Sequence, residues 1–249
     1  MQLFREPLTS NTQNKKYIMK YLKSYYWIVM MLSSVMFASC IRCDGRWSGT
    51  RGSQIIRGDN IAAREERNVE KFDMLEFDGV ANVYFAQAPK CQVVIKADKN
   101  ILPYIETKVV NNKLEITTKP HISIRPKTKM EILVYSPDIK QIEWEGVGSL
   151  YVPGKLNVSD LQVHSEGVGS LNFLGTISAR SLSFHMEGVG SVKATNINCN
   201  SVKAHLEGVG SITLSGVTKR LIKYREGVGS VNTDGLKVLA STSNVNEDD

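Results

Sequence analysis

Several kinds of chemistry lack their raw material in this chain. Four cysteines (Cys40, Cys43, Cys91 and Cys199) in 249 residues are too sparse for a disulfide-dense scaffold, and no CxxC or Cys/His spacing outlines a zinc module. There is no phosphate-binding glycine loop and no dinucleotide fingerprint. The longest apolar run, Tyr25 to Ser39, is 15 residues, short of the ~20 that span a bilayer. No Lys/Arg cluster interleaved with aromatics follows residue 70, which argues against nucleic acid as a partner. The net charge of +6 does not alter this, because Arg5, Lys15, Lys16, Lys20 and Lys23, opposed by Glu6 alone, account for four of those charges. Helical periodicity is absent from residues 140–240.

The opening segment reads as an address. Basic residues precede the apolar run, which ends in "FASC", with small Ala38 and Ser39 before Cys40. That order matches a signal peptide over residues 1–39, followed by a lipobox-like cysteine, so Cys40 is the expected lipidation site. Met19 opens an equivalent signal. Residues 40–68, rich in Gly, Ser and Arg, read as a lipidated tether, and residues 241–249, ending "NEDD", as a disordered tail.

What the chain has in abundance is one pentapeptide. "EGVGS" begins at Glu145, Glu166, Glu187, Glu207 and Glu226, with spacings of 21, 21, 20 and 19 residues. A period near 20 indicates a solenoid. One residue after each serine stand Leu150, Leu171, Val192, Ile212 and Val231, and two further on stand Val152, Phe173, Ala194, Leu214 and Thr233. Polar residues lie between them, the alternation of a strand with one buried face. Five residues after the serine come Gly154, Gly175, Asn196, Gly216 and Gly235, which suggests a left-handed corner. A second strand follows (Leu156 and Val158, Ile177 and Ala179, Ile197 and Cys199, Leu236 and Val238), with Val217 and Lys219 in the irregular fourth unit. A third strand (Leu161 and Val163, Leu182 and Phe184, Val202 and Ala204) leads into the next pentapeptide.

The expected fold is therefore all-β: a single-stranded parallel β-helix, or β-solenoid, over residues 69–240 with rungs of about 20 residues. Each pentapeptide forms a corner, shaped by Gly146 and Gly148, Gly167 and Gly169, Gly188 and Gly190, Gly208 and Gly210, and Gly227 and Gly229. The intervening valine is expected to turn into the core. "FDGVANVYFAQ" (Phe77 to Gln87) reads as a degenerate earlier copy, Asn111-Asn112 as a turn, "MEILVYSP" as a strand, and "DKNILPYIE" as holding a short helical turn.

"FDGVANVYFAQ", "VVIKADKNILPYIETKVVNNKLEI" and the repeated "EGVGS", taken together, resemble the auto-transporter adhesin head domain called the GIN domain, over about residues 70–240. The resemblance implies an extracytoplasmic β-helical domain, often lipid-anchored in the bacterial envelope. It implies no catalytic residues.

The register exposes two columns. His164, His185 and His205 occupy equivalent positions on successive rungs, between Glu143 and Tyr224, and beside them run Glu145, Glu166, Glu187, Glu207 and Glu226. Like charges at rung spacing repel. Their relief could be a metal held by His164, His185, His205, Glu166, Glu187 and Glu207. Alternatively each glutamate accepts hydrogen bonds from corner amides or serine hydroxyls, with the histidines stacked alongside. Repetition on every rung favours the second. The serines are indistinguishable from one another, and GVGS is not a nucleophile elbow, so catalysis is not expected and no cofactor is implied. Tyr151, Trp144 and Tyr224 offer surfaces on which sugars could stack.

The resulting expectation is a non-enzymatic exported lipoprotein, membrane-bound through Cys40, serving as an adhesin or envelope-interaction module for a glycan or protein surface. The alternatives are a periplasmic structural or stress-associated lipoprotein and a carbohydrate-active enzyme. An outer-membrane location follows, with periplasmic and surface faces both open. The terminal rungs leave strand edges on which a second copy could pair.

Overall fold

The computed structural model describes residues 53–239; the signal segment, Cys40 and the acidic tail lie outside the described residues. The amino-terminal half contains β1 (Gln54–Arg57), β2 (Ala62–Asn68), β3 (Met74–Asp78), β4 (Val80–Gln87) and β5 (Gln92–Asp98). A 3₁₀ turn at Leu102–Tyr104 follows, then β6 (Ile105–Val110), β7 (Lys113–Thr118), β8 (Ile122–Arg125) and β9 (Glu131–Ser136). The repeats supply β10 (Gln141–Trp144), β11 (Val147–Val152), β12 (Leu156–Asn157), β13 (Asp160–Ser165) and β14 (Val168–Phe173). They continue through β15 (Ile177–Met186), β16 (Val189–Leu206), β17 (Val209–Arg225) and β18 (Val228–Val238).

The chain is a β-solenoid of about 5 turns with rungs of roughly 21 residues. Equivalent residues pair in parallel, each on the next turn. Leu150 sits on Leu171, Leu171 on Val192, Val192 on Ile212 and Ile212 on Val231. The buried interior consists of these columns and those of the second and third strands, with Phe173, Phe184, Ala194, Val202 and Leu214 all fully enclosed. Met186 and Leu206, each just before a pentapeptide, extend the third-strand column to its corner. Such a rung cannot bury its apolar side alone, so stability resides in the stacking.

The stack continues into the amino-terminal half. β4 lies parallel on β11 and β3 parallel on β10, so Phe77–Gln87 does form the preceding rung. Below it, β9 pairs with β4 and β7 with β3, both in parallel. The inserted segments then fold back as antiparallel partners, β5 on β9, β2 on β5 and β6 on β7. Asn111 and Asn112, with φ of 51° and 63°, make the β6–β7 turn, since asparagine enters the left-handed region at low cost.

The segment read as a tether contains β1 and β2 instead. β2, "AAREERN", has no apolar face, yet its backbone pairs along all of β5 and Arg67 donates to the Leu102 and Ile105 carbonyls. Asp98, buried at the end of β5, accepts hydrogen bonds from the amides of Asn60, Lys127 and Thr128 and so ties two separate loops to that strand end. Burial works to raise its pKa, but the amide bonds prevail and hold it below the ordinary carboxylate value.

Three features of the repeat differ from expectation. The pentapeptide valines face solvent, from 49% exposure at Val147 to 72% at Val228. The positions that point inward at the corner are Gly146, Gly167, Gly188 and Gly208, where a Cβ would overlap the backbone of the rung before. Second, the left-handed residue common to the rungs is the second glycine of the pentapeptide, with φ between 133° at Gly148 and 152° at Gly210. At the later corner only Asn196 and Gly216 have positive φ; Gly154, Gly175 and Gly235 do not. Third, the fourth rung turns Gly216 and Thr218 onto Ile197 and Cys199, in place of Val217 and Lys219, through a register shift after Ala194. Thr218 is fully buried, with its hydroxyl donating to the Arg220 carbonyl and accepting from the Cys199 thiol. Cys199 is buried as expected, and burial pushes its pKa up.

Candidate functional site

Every corner solves the same hydrogen-bonding problem in the same way. The amides of Glu166 and Gly167 both donate to the Trp144 carbonyl, those of Glu187 and Gly188 to Ser165, those of Glu207 and Gly208 to Met186, and those of Glu226 and Gly227 to Leu206. This pinches the chain so that the glutamate side chain is thrown outward and the next residue, glycine, lies against the neighbouring backbone. The result is a face of three parallel columns: half-buried histidines, exposed glutamates and exposed valines.

The histidine column is the most ordered part of that face. Strand pairing sets Glu143 against His164, His164 against His185, His185 against His205 and His205 against Tyr224. The rings of His185 and His205 stack 4.6 Å apart and within 3° of parallel, while His164 meets His185 edge-on at 4.8 Å. Tyr224 closes the column edge-on to His205, with the Lys203 ammonium 5.5 Å from its ring centre.

Each imidazole Nε2 lies between two carboxylates. His164 Nε2 is 2.9 Å from Glu166 and 3.6 Å from Glu187. His185 Nε2 is 3.3 Å from both Glu187 and Glu207. His205 Nε2 is 3.2 Å from Glu207 and 3.5 Å from Glu226. All three Nε2 atoms are shut off from solvent, yet none is aligned for a hydrogen bond. No corner amide or serine hydroxyl donates to a motif glutamate among the described residues; Glu166, Glu187, Glu207 and Glu226 have the histidines as their near partners. Two triads bring their ligand atoms within 4.8 Å of one another: His164, His185 and Glu187; and His185, His205 and Glu207. Glu166 stands beside the first triad through His164.

Below the histidines the column changes character. Glu76 and Glu143 stack in register and share the Lys113 ammonium, which is 3.2 Å from Glu143. The Glu76 hydrogen bond, followed by that to Glu143, raises the lysine pKa against the cost of burial. Gln141 also donates to Glu143 at 2.7 Å. Glu145 has no such partner; burial, then Glu76, Glu166, Asp78 and Glu143, raises its pKa. Sequence reasoning did not find Lys113, because it arrives from β7, a rung strand with no EGVGS pentapeptide after it to set its register.

The aromatic residues considered for sugar stacking are divided by the fold. Trp144 is fully buried and stacked on Phe77 at 4.5 Å, so it presents nothing to a ligand. It points inward because it precedes the corner, at the position of Ser165, Met186 and Leu206. Tyr151 is half-exposed and stacked on Tyr84 at 5.1 Å. On the serine side, Ser191 donates to Ser170 at 3.0 Å, and the Ser149 amide donates to Asn82 at 3.2 Å.

Similar architecture occurs in several solved structures. One, from Parabacteroides distasonis and described as a "putative lipid binding protein", is 22% identical, with a TM-score of 0.70 over 74% of this chain and 78% of that one. A "putative adhesin" from the same species is 19% identical, with a TM-score of 0.71 over 75% and 79% of the two chains. A "putative adhesin" from Bacteroides fragilis is 23% identical, with a TM-score of 0.59 over 71% and 99%. At such identities the likeness extends to the fold. No curated protein sequence matches the chain. The family model described as "Putative auto-transporter adhesin, head GIN domain" matches residues 71–246, the whole solenoid from β3 onward, and the chain belongs to that family.

Proposed function

We propose that this protein is a non-catalytic interaction module of the bacterial cell envelope, tethered to the outer membrane by lipid on Cys40. Its repeating face would bind an extended glycan or protein surface. The observation that carries the reading is the sameness of that face. Glu, Val and Ser recur at one register on successive rungs, so the surface offers a periodic partner many equivalent contacts and gives a reaction no singular centre. Membership in a family described as adhesin heads supports export and surface contact. The basic, apolar and small-residue order before Cys40 supports the anchor.

Protease treatment of intact cells expressing the full chain tests the display. Cleavage is expected at the surface, whereas full protection would place the domain in the periplasm and favour a structural role there. A Cys40→Ser variant should fail to incorporate an alkyne-tagged fatty acid and should leave the membrane fraction. Screening the protein on a glycan array should return repeating polymers in preference to short oligosaccharides; an empty array would overturn the glycan arm of the reading.

A further inference from the structure

We infer that the histidine column is a binding site for one divalent transition-metal ion of the zinc class, centred on His185. Three observations converge on this.

The spacing is that of ligands around an ion. Metal–nitrogen and metal–oxygen bonds of about 2.0–2.2 Å at a tetrahedral angle place neighbouring ligand atoms roughly 3.3–3.4 Å apart. Within the two triads the Nε2–carboxylate distances are 3.6 Å (His164–Glu187), 3.3 Å (His185–Glu187), 3.3 Å (His185–Glu207) and 3.2 Å (His205–Glu207), close to that spacing.

The misalignment is of the same origin. In a tetrahedral site the line from nitrogen to a neighbouring ligand oxygen diverges by about 35° from the nitrogen–metal axis. A coordinating carboxylate therefore sits off the ring's N–H direction. That is what is found: each Nε2 has carboxylate oxygens in reach, is hidden from water, and forms no hydrogen bond. An ion-pair ladder of imidazolium and carboxylate would instead favour straight, charge-assisted hydrogen bonds.

The third observation is charge. The glutamates of successive rungs repel one another. A dication bound to one of them relieves that repulsion. Oxygen-only ions such as calcium gain little from two nitrogens, so a borderline ion that accepts imidazole is the fitting class.

The geometry also sets the stoichiometry. Both triads use His185, and a neutral imidazole has a single lone pair at Nε2. One chain therefore holds one ion, either with His164 and Glu187 or with His205 and Glu207. The two nitrogens of a triad must close from within 4.8 Å to ligand spacing; the His164 and His185 rings, already 78° apart, can turn their in-plane lone pairs toward a common point, whereas the parallel His185 and His205 rings must first unstack. The ion would draw successive rungs together on the same face that the interaction module presents.

The test is calorimetric titration of the full chain in detergent with zinc, and optical titration with cobalt. One ion per chain and the visible absorption of tetrahedral cobalt are expected. His185→Ala should abolish binding, by more than the roughly 10–100-fold that loss of a supporting partner costs a metal site. His164→Ala and His205→Ala should each leave one site of weakened affinity, and the double variant none. The fold of each variant is checked by circular dichroism and by its metal-free melting temperature, which should match wild type. Absence of binding by wild type at millimolar zinc, two ions per chain, or unchanged binding by a folded His185→Ala variant would each overturn the inference.

Discussion

Gly169 sits directly on Gly148, so close that a methyl group on its Cα would overlap the Gly148 carbonyl oxygen, and its φ of 148° is one that side chains resist. Gly154, one corner away, has open space around it. Gly169→Ala should therefore cost about 3 kcal/mol or more, combining backbone strain with a forced separation of rungs. Gly154→Ala should fall within about 0.5–1 kcal/mol of wild type, on the stabilising side if anything. Denaturant melts of the two variants give the contrast.

Asp98→Asn should cost about 2–3 kcal/mol at neutral pH, since an amide nitrogen would replace one acceptor oxygen facing the Asn60, Lys127 and Thr128 amides. The pH dependence has a definite sign. The folded-state pKa of Asp98 is lowered, so its stabilisation is present above the unfolded value, near 3.8, and is lost as pH falls through the folded value. Wild type should lose more stability than the variant between pH 4 and the acid limit, measured as melting temperature against pH.

Lys113→Met leaves Glu76 and Glu143 facing each other without a cation, and should destabilise by about 1–2 kcal/mol at neutral pH. The lysine pKa is raised on folding, so its contribution is fully present below the unfolded value, near 10.5, and disappears as pH rises through the folded one. The gap between wild type and variant should thus persist to pH 10 and narrow only in stronger alkali, as followed by equilibrium urea unfolding.

Phe184→Ala empties a fully enclosed position that packs edge-on against Phe173 at 5.5 Å. A loss of about 3–5 kcal/mol is expected. Because rungs contact only their neighbours, protection from hydrogen exchange should fall first in the turns containing β14 to β16 and less at β9.

The solenoid was legible because inward columns such as Leu150, Leu171, Val192 and Ile212 repeat at a spacing that only stacked turns explain. The histidine and glutamate columns followed from the same register. The valines misled for a physical reason: apolar character suggests burial, but the inward space at the corner is filled by the preceding rung's backbone, which admits only glycine. β1 and β2 were invisible because they earn their place through backbone pairing and Arg67, which leave no apolar alternation to read. Thr218 was misplaced by one residue, since a register shift in the pairing carries no composition signal.

The uniform corner has one more consequence. Ser165 and Met186 occupy the same place on adjacent turns, so excision of residues 166–186 would join two ends that already share a conformation. The molecule is built of interchangeable lengths. Its reach can be reset by whole turns, ~4.8 Å at a time, while the corners on either side of the seam keep their partners.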